Sequence, residues 1–369
     1  MTEITIPTDL LPHDGRFGSG PSLVRQQQLD DLVARGRDIL GTSHRQPPVK
    51  QLVGAVQEGL ATLFRIPDGY EVLLANGGST AFWDSAAFGL VEARAQTAKF
   101  GEFGGKFAKA AAAPWLQAPD VRDAAPGSVA FLEAAEGIDL YATPHNETST
   151  GAMVPVHRVD APGALTMIDA TSAAGGIEVD ISQCDVYYFA PQKNFGADGG
   201  LWLALVSPAA IERIERIGAS DRYVPDFLDL TNVVANSRKQ QTLNTPALAT
   251  LSLLESQIRW MNELGGLAAV DARTRESSGI LYDWIERTPW ASAYVANPEH
   301  RSQVVVTIDL DEAIDGTAVT AALRANGVVD IDPYRKLGRN QLRVGTFASV
   351  EPEDVRRLAA SIDYVVERL

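Results

Sequence analysis

The sequence predicts an α/β protein with a large domain, built on a mostly parallel mixed sheet flanked by helices, and a smaller C-terminal α+β domain. Three observations predict this fold class. Short apolar runs alternate with segments of helical period as far as about Val206. The runs are apolar at successive positions, which is typical of strands buried on both faces of a sheet. From about Leu248 two long helical patterns follow, reaching about Arg287, and then a shorter alternation of strands and helices begins.

The individual elements follow from these patterns in chain order. Strands of the large sheet are predicted at residues 71–74, 139–143, 164–168, 185–189 and 201–206. Helices are predicted in the gaps, for example at 80–93 and 208–216. The C-terminal unit is predicted as strand 303–308, helix 316–326, strand 341–347 and helix 352–368. The change of pattern near 255–265 divides the chain into a large domain, 1–260, with an N-terminal segment 1–22, and a small domain, 261–369.

Composition and charge narrow the class of function. The chain has 369 residues with 32 Lys plus Arg against 47 Asp plus Glu, a formal net charge of -15. An acidic protein repels nucleic acid and anionic membrane, so we expect neither as a partner. The single cysteine, Cys184, leaves no internal disulfide or cysteine-based zinc site and suits a cytoplasmic protein, and no metal site is predicted. We find no signal peptide at the N-terminus and no apolar stretch long enough to cross a membrane.

A lysine directly follows one predicted buried strand. Lys193 stands in Ala-Pro-Gln-Lys-Asn-Phe-Gly, just after the apolar run 186–189. Taken alone, it is either a surface lysine in a glycine-rich turn or a desolvated lysine that condenses with an aldehyde cofactor.

A carboxylate at a second strand end favours the cofactor interpretation. Asp169 ends the apolar run that begins at Leu165, 24 residues before Lys193. Alone, it could cap a helix. A carboxylate facing the pyridine nitrogen of pyridoxal 5'-phosphate (PLP) keeps that nitrogen protonated and makes the ring an electron sink. Together the two strand-end residues predict a PLP site.

Two further loops complete such a pocket. Gly77, Gly78, Ser79 and Thr80 join a strand to a helix, and this turn can hold a phosphate at the helix N-terminus or be an ordinary turn. The loop from Pro144 to Gly151 offers polar side chains for the ring hydroxyl, or is simply a capped loop.

These motifs, in this order and spacing, resemble the phosphoserine aminotransferases, class V PLP enzymes of fold type I, and most closely their actinobacterial branch. The resemblance extends over nearly the whole chain, through the segments 17–21, 41–45, 76–78, 146–148, 169–172, 192–194, 244–246 and 339–343. It implies PLP as the cofactor, L-glutamate and 3-phosphohydroxypyruvate as substrates, O-phospho-L-serine as a product of serine biosynthesis, and a homodimer.

The resemblance also implies roles for individual residues. Lys193 would bind the cofactor covalently and move the substrate proton, Asp169 would pair with the ring nitrogen, and Thr148 would bind the ring oxygen. Phe103 stands where the family usually stacks a tryptophan on the ring. The cofactor phosphate would be held by Ser79, Thr80 and Gln192 and, from the partner subunit, by Asn244 and Thr245. Substrate would be bound by His44, Arg45, Arg339 and Arg343, with Arg343 on the α-carboxylate.

Two departures from the family pattern concern anion binding. Ser79 and Thr80 stand where many members have an arginine after the glycines, and Gly338 and Arg339 replace a His-Arg pair at a different spacing from Arg343. The contact made by Arg339 is therefore open, as are those of His44 and Arg45.

Other interpretations remain at this point. A cysteine desulfurase would need a mobile cysteine, whereas Cys184 directly precedes a buried strand. An aminotransferase of the alanine-glyoxylate type, with an unphosphorylated acceptor, and a non-catalytic protein that retains the fold are both open. So is a second reaction on 4-phosphohydroxy-threonine.

Overall fold

The computed structural model describes residues 4–369. Its strands are β1 (Glu71–Gly77), β2 (Ala95–Lys99), β3 (Asp120–Asp123), β4 (Leu140–Pro144), β5 (Asn146–Glu147), β6 (Ala152–Met153), β7 (Leu165–Asp169), β8 (Val186–Phe189), β9 (Gly200–Val206), β10 (Ala291–Ala293), β11 (Val305–Leu310) and β12 (Gln341–Gly345). Its α-helices are α1 (Gln26–Ile39), α2 (Pro47–Phe64), α3 (Ser79–Gly89), α4 (Glu102–Ala110), α5 (Pro208–Gly218), α6 (Leu230–Ser237), α7 (Leu248–Glu263), α8 (Leu267–Arg287), α9 (Gly316–Ala325) and α10 (Pro352–Val366).

The large sheet has the order β1-β9-β8-β7-β4-β2-β3. Its neighbours pair in parallel except at β9, which is antiparallel to both β1 and β8. The carboxyl ends of β1, β4, β7 and β8 therefore meet at one edge, where ligands bind in open α/β sheets. The predicted fold class, a mostly parallel mixed sheet flanked by helices, is confirmed.

Helices cover both faces of this sheet, which explains why its central strands are apolar at most positions. One core lies between the sheet and helices α2 and α7, and the other lies between the sheet and helices α3 to α6. All four residues of β8 and the last six of β9 are buried. The five strands predicted for this sheet are all present, with ends that differ by up to three residues.

Two strands of the large sheet, β2 and β3, lack the continuous apolar run that predicts the others. Strand β2 is buried but contains Gln96 and Thr97, and Gln96 bonds to Asp120 through its side-chain amide at 2.8 Å. Strand β3 lies at the sheet edge and alternates between half-buried and exposed residues. Edge strands need no apolar run because one side of the ladder faces solvent.

The C-terminal part forms a three-stranded antiparallel sheet, β10-β11-β12, packed against the end of α8 and against α9 and α10. Ile6 and Phe17 are buried in this same core, so the N-terminal segment packs against the C-terminal part. Arg343 lies on β12, opposite Thr307 of β11. Within residues 4–369, no helix combines the length and the apolar character that a membrane crossing requires.

Candidate active site

A cavity of about 520 Å³ opens at the carboxyl edge of the large sheet. The loops after β1, β4, β7 and β8 contribute to its wall, together with α4 and the N-terminal segment. Its lining includes Ser79, Thr80, Phe103, Thr148, Asp169, Gln192 and Lys193, all of them predicted site residues. The topology therefore brings together side chains that are more than a hundred residues apart in the chain.

Lys193 is buried, with a relative exposure of 8%. Its Nζ donates a hydrogen bond to the backbone oxygen of Ser19 at 2.7 Å. Burial, and then the nearby Arg343 guanidinium, lower the pKa of the Lys193 amine to about 8, against the opposing effect of Asp169 and Glu147. The amine is still mostly protonated at neutral pH, but the lowered pKa makes the neutral form, which attacks an aldehyde, far more abundant than in an ordinary lysine.

Gly20 leaves the space that this amine occupies. Its φ is +127°, in the region that favours glycine, and a Cβ added there would lie 2.5 Å from the Lys193 Nζ. A side chain at position 20 would thus displace the amine from its place below the N-terminal segment.

Asp169 ends β7 on the floor of the cavity, in register with Tyr188 of β8. The backbone N–H of Thr171 donates to its Oδ1 at 2.9 Å. Trp83 Nε1 donates to the hydroxyl of Tyr188 at 2.7 Å. Burial raises the pKa of Asp169, and hydrogen bonds from Thr171, Tyr188 and Trp83 oppose that rise. A cationic ring nitrogen bound here would favour the charged carboxylate.

Glu147 anchors the helix that carries Phe103. The side chain is fully buried, and its Oε2 accepts hydrogen bonds from the backbone N–H groups of Phe103 at 3.0 Å and Gly104 at 3.1 Å. Its Oε1 accepts from the backbone N–H of Ser149 at 3.1 Å and from the Ser149 hydroxyl at 2.7 Å. Burial raises the pKa of Glu147, although these donors oppose the rise. The carboxylate thus satisfies the N-terminus of α4 and places Phe103 against the cavity.

We expect Glu147→Ala to lower the free energy of unfolding by about 3 kcal/mol, because three buried N–H groups lose their acceptor. Urea denaturation of the variant and the parent measures this difference. Glu136→Ala removes an exposed carboxylate and is the matched control. A loss no larger than that of the control would show that Glu147 does not anchor α4.

A second cavity, of about 940 Å³, adjoins the first, since Gly20 and Pro21 line both. Arg343 lines it and donates from Nη1 to the backbone oxygen of Thr148 at 3.2 Å. Burial lowers the pKa of the Arg343 guanidinium. Over residues 4–369 no carboxylate lies within ion-pair distance of it, so its charge faces the junction of the two cavities without an acidic partner.

Two more arginines line the second cavity, and they differ in what they contact. Arg339 donates to Asp309 through Nε at 3.1 Å and Nη2 at 2.7 Å. Arg335 is exposed, and no side chain in the described part of the protein forms an ion pair with it. The sequence predicts Arg339 as a substrate ligand. In the structure Arg339 forms an ion pair with Asp309, whereas Arg335 forms none among the described residues.

The other four predicted site residues form a separate group outside the two cavities. They are His44, Arg45, Asn244 and Thr245. Thr245 Oγ1 is 3.1 Å from His44 Nδ1, and Arg45 Nη1 donates to Gln241 at 3.3 Å. Burial, with the neighbouring Arg45, lowers the pKa of His44. Neither cavity described above has His44, Arg45, Asn244 or Thr245 in its lining.

Comparison with known proteins agrees with this geometry. Residues 132–330 match the family described as Aminotransferase class-V. A phosphoserine aminotransferase of a Nocardioides species is 56% identical over 374 residues, covering 100% of both chains. One of Corynebacterium glutamicum is 54% identical, covering 100% of this chain and 98% of its own.

Solved structures share the fold at lower identity. A phosphoserine aminotransferase of Cytophaga hutchinsonii superposes with a TM-score of 0.89 at 21% identity, covering 95% of this chain and 99% of its own. A PLP-bound phosphoserine aminotransferase of Trichomonas vaginalis gives a TM-score of 0.81 at 20% identity, covering 95% and 100%.

The fold, the family match and the site define a class-V aminotransferase, an enzyme that uses PLP. Its full-length relatives narrow the class further. The chain belongs to the phosphoserine aminotransferase family. The predicted family, enzyme class and cofactor are confirmed.

The cavity suits this cofactor on its own chemistry. A buried amine and a carboxylate share its lining, and the ring of Phe103 offers a flat apolar face. Asn146 Oδ1 and Gln192 Oε1 are buried there with no hydrogen-bond partner among the described residues. Buried polar atoms without partners are costly, so a polar ligand would satisfy them.

Sequence reasoning missed three side chains that support this site. Glu147 stands within a recognised motif, but nothing local indicates that it reaches α4. Tyr188 is in register with Asp169, a relation that strand pairing alone creates. Lys106 follows Phe103 by three residues, and this helical spacing is the one signal that could have identified it.

Proposed function

We propose that the enzyme transfers an amino group reversibly between L-glutamate and 3-phosphohydroxypyruvate, giving 2-oxoglutarate and O-phospho-L-serine in L-serine biosynthesis. The observation that carries this proposal is the junction of the two cavities. One holds the buried amine of Lys193, and the other is lined by Arg335 and Arg343, two guanidinium groups without acidic partners. Guanidinium groups bind carboxylates and phosphates, and the proposed acceptor carries both.

In this proposal the cofactor lies in the smaller cavity. Lys193 would hold it by its aldehyde carbon, Asp169 would meet the ring nitrogen, and Phe103 would cover the ring face. Ser79, Thr80 and Gln192 would bind its phosphate, next to the uncapped N-terminus of α3. Thr148, whose hydroxyl is 2.9 Å from that of Ser172, would bind the ring oxygen.

The chain's own residues then divide the work of catalysis. The bound PLP supplies an electron sink that stabilises negative charge at the substrate α-carbon. Lys193, once its amine is free, would move the proton between the substrate α-carbon and the aldehyde carbon of the cofactor, in one direction for glutamate and in the other for the keto acid. Arg343 binds the α-carboxylate and orients the substrate, and the surrounding burial excludes water.

We propose that Arg335 contacts the acceptor phosphate, with His44 and Arg45 contributed from the partner subunit. Arg339 is the alternative predicted from sequence. Its two hydrogen bonds to Asp309 support a structural role, because the guanidinium group would have to break both of them to bind substrate.

The two arginines can be separated by paired substitutions. Arg335→Ala is expected to raise the KM for 3-phosphohydroxypyruvate about tenfold, and the KM for glutamate less, because the phosphate carries more charge. Arg339→Ala should change both values by no more than about twofold, in keeping with an exposed ion pair. Steady-state kinetics of the two variants decide the assignment. A larger effect from Arg339→Ala would return the role to Arg339.

We further propose a homodimer in which Asn244 and Thr245 of one subunit reach the cofactor phosphate of the other. Two facts support this. Asn244, Thr245 and Arg45 are exposed within their own chain, and none of them lines the cavity that contains Lys193. The Nδ2 of Asn76 donates to the backbone oxygen of Thr245 at 2.9 Å, which fixes the loop at the surface.

Subunit mixing tests this arrangement through His44 and Arg45, because His44 contacts Thr245 and must reach the same site. Lys193→Ala and the double variant His44→Ala with Arg45→Ala should each be nearly inactive alone. Random mixing makes half of the dimers hybrids, each with one intact site, so activity should return to about a quarter of the parent value. If each site is built from a single chain, every site in the hybrid carries a defect and no activity returns.

The choice of acceptor tests the proposed reaction itself. The purified enzyme, with glutamate as donor, should turn over 3-phosphohydroxypyruvate with a kcat/KM at least about 100-fold above that for pyruvate or glyoxylate, since the guanidinium groups are left unpaired by a smaller acceptor. Preference for glyoxylate would instead indicate an aminotransferase of the alanine-glyoxylate type. A reducing cytoplasm, the proposed location, suits the buried free thiol of Cys184.

A further inference from the structure

The cavity that contains Lys193 is short of positive charge for a phosphorylated ligand. Among the residues that line it, the cations are Lys193 and Lys106. Lys193 is assigned to the aldehyde end of the cofactor. The groups proposed for the phosphate, Ser79, Thr80 and Gln192, are all neutral, and the N-terminus of α3 supplies only about half an elementary charge. A phosphate monoester carries nearly two negative charges near neutral pH.

Lys106 is placed to supply the missing charge. It lies three residues after Phe103 on α4, so the two side chains share one face of that helix. Its Nζ is 4.9 Å from the centroid of the Phe103 ring. In the described part of the protein it forms no ion pair, and its side chain is exposed at the cavity rim. An amine on a four-carbon stem can move from this position at little cost.

The first turn of α3 also lines this cavity. Thr80 and Trp83 line the cavity together with Lys106, and the same three residues line an adjoining surface groove of about 570 Å³. Lys106 and Thr80 therefore both lie where the groove meets the cavity, and Thr80 is one of the residues proposed for the phosphate. Lys109, one turn further along α4, lines the groove but not the cavity.

We propose that the ammonium group of Lys106 binds the phosphate of the cofactor and is the principal side-chain cation for it within the subunit. This inference rests on the proposed placement of the phosphate at Ser79 and Thr80. It assigns to α4 two functions on one face, the ring contact through Phe103 and the phosphate contact through Lys106.

The experiment compares the binding of PLP and of pyridoxal, which lacks the phosphate, to apoenzyme. Lys106→Met keeps the length of the side chain and removes its charge, and Lys109→Met is the matched control. We expect Lys106→Met to raise the Kd for PLP about tenfold, as the loss of one charge-assisted contact would. The Kd for pyridoxal should stay within about twofold, and Lys109→Met should change neither value.

Two outcomes would overturn the proposal. An unchanged Kd for PLP in Lys106→Met would show that the amine does not reach the phosphate. An equal loss for PLP and pyridoxal would show that Lys106 acts only through the Phe103 ring.

Thr80→Val separates this inference from the placement on which it rests. If Thr80→Val weakens PLP but not pyridoxal, the phosphate lies at α3, and an unchanged Kd in Lys106→Met then removes Lys106 alone. If neither variant weakens PLP selectively, the placement of the phosphate is wrong as well.

Discussion

Lys193→Ala is expected to abolish transamination, with kcat reduced by about 10⁴-fold or more, because in the proposed site both the covalent attachment of the cofactor and the proton transfer depend on this amine. The variant should also lose the visible absorbance of the lysine-linked cofactor. A coupled assay and an absorbance spectrum of the purified protein measure the two effects. The side chain of Lys193 is only 8% exposed, and its amine is hydrogen-bonded to the backbone oxygen of Ser19. We therefore expect no other lysine to replace it in the cavity.

Lys109→Ala is the control for this experiment, because Lys109 is an exposed lysine that does not line the cavity. It should retain the parent spectrum and kcat. Turnover or lysine-linked absorbance in Lys193→Ala at parent levels would disprove the assignment of the lysine.

Arg343→Ala is expected to raise the KM for both glutamate and 3-phosphohydroxypyruvate by about 100-fold, the effect of losing a buried charge-assisted pair. Both substrates carry an α-carboxylate, and Arg343 lies at the junction of the two cavities, bonded to the oxygen of Thr148 at 3.2 Å. Steady-state kinetics with each substrate varied in turn provide the measurement.

Arg343→Lys should recover only part of this loss, because an ammonium group cannot bind a carboxylate through two parallel hydrogen bonds. An increase in KM for one substrate alone would contradict a shared carboxylate site. It would indicate that Arg343 binds the distal group of that substrate instead.

The sequence predicts best the strands whose two faces are both buried. Strands β7, β8 and β9 are buried on both faces, so their apolar runs mark them plainly. Strands β2 and β3 were not predictable in this way. Their polar side chains bond to one another across the strands, as Gln96 does with Asp120, and such pairs are recognisable only after the strands are adjacent.

The candidate site likewise has some contacts that the sequence predicts and others that it does not. Lys193 and Asp169 stand at strand ends, and parallel strands bring their carboxyl ends to one edge, so their meeting follows from the fold class. The contacts of Arg339 do not follow, since its partner Asp309 is 30 residues away on a neighbouring strand. The domain boundary at residue 260 and the individual ligand roles stay predictions.

By itself, the sequence determined the fold class, the meeting of the strand-end residues Lys193 and Asp169 in one cavity and, through its motifs, the family. These depend on patterns that are local along the chain, such as apolar runs, glycine turns and their spacing. Only the tertiary structure decided which charges have partners. It showed Arg339 held by Asp309, Glu147 buried beneath α4, and Lys106 at the rim of the cofactor cavity. The physical reason is that burial and ion pairing depend on distances between elements, which the order of residues along the chain does not specify.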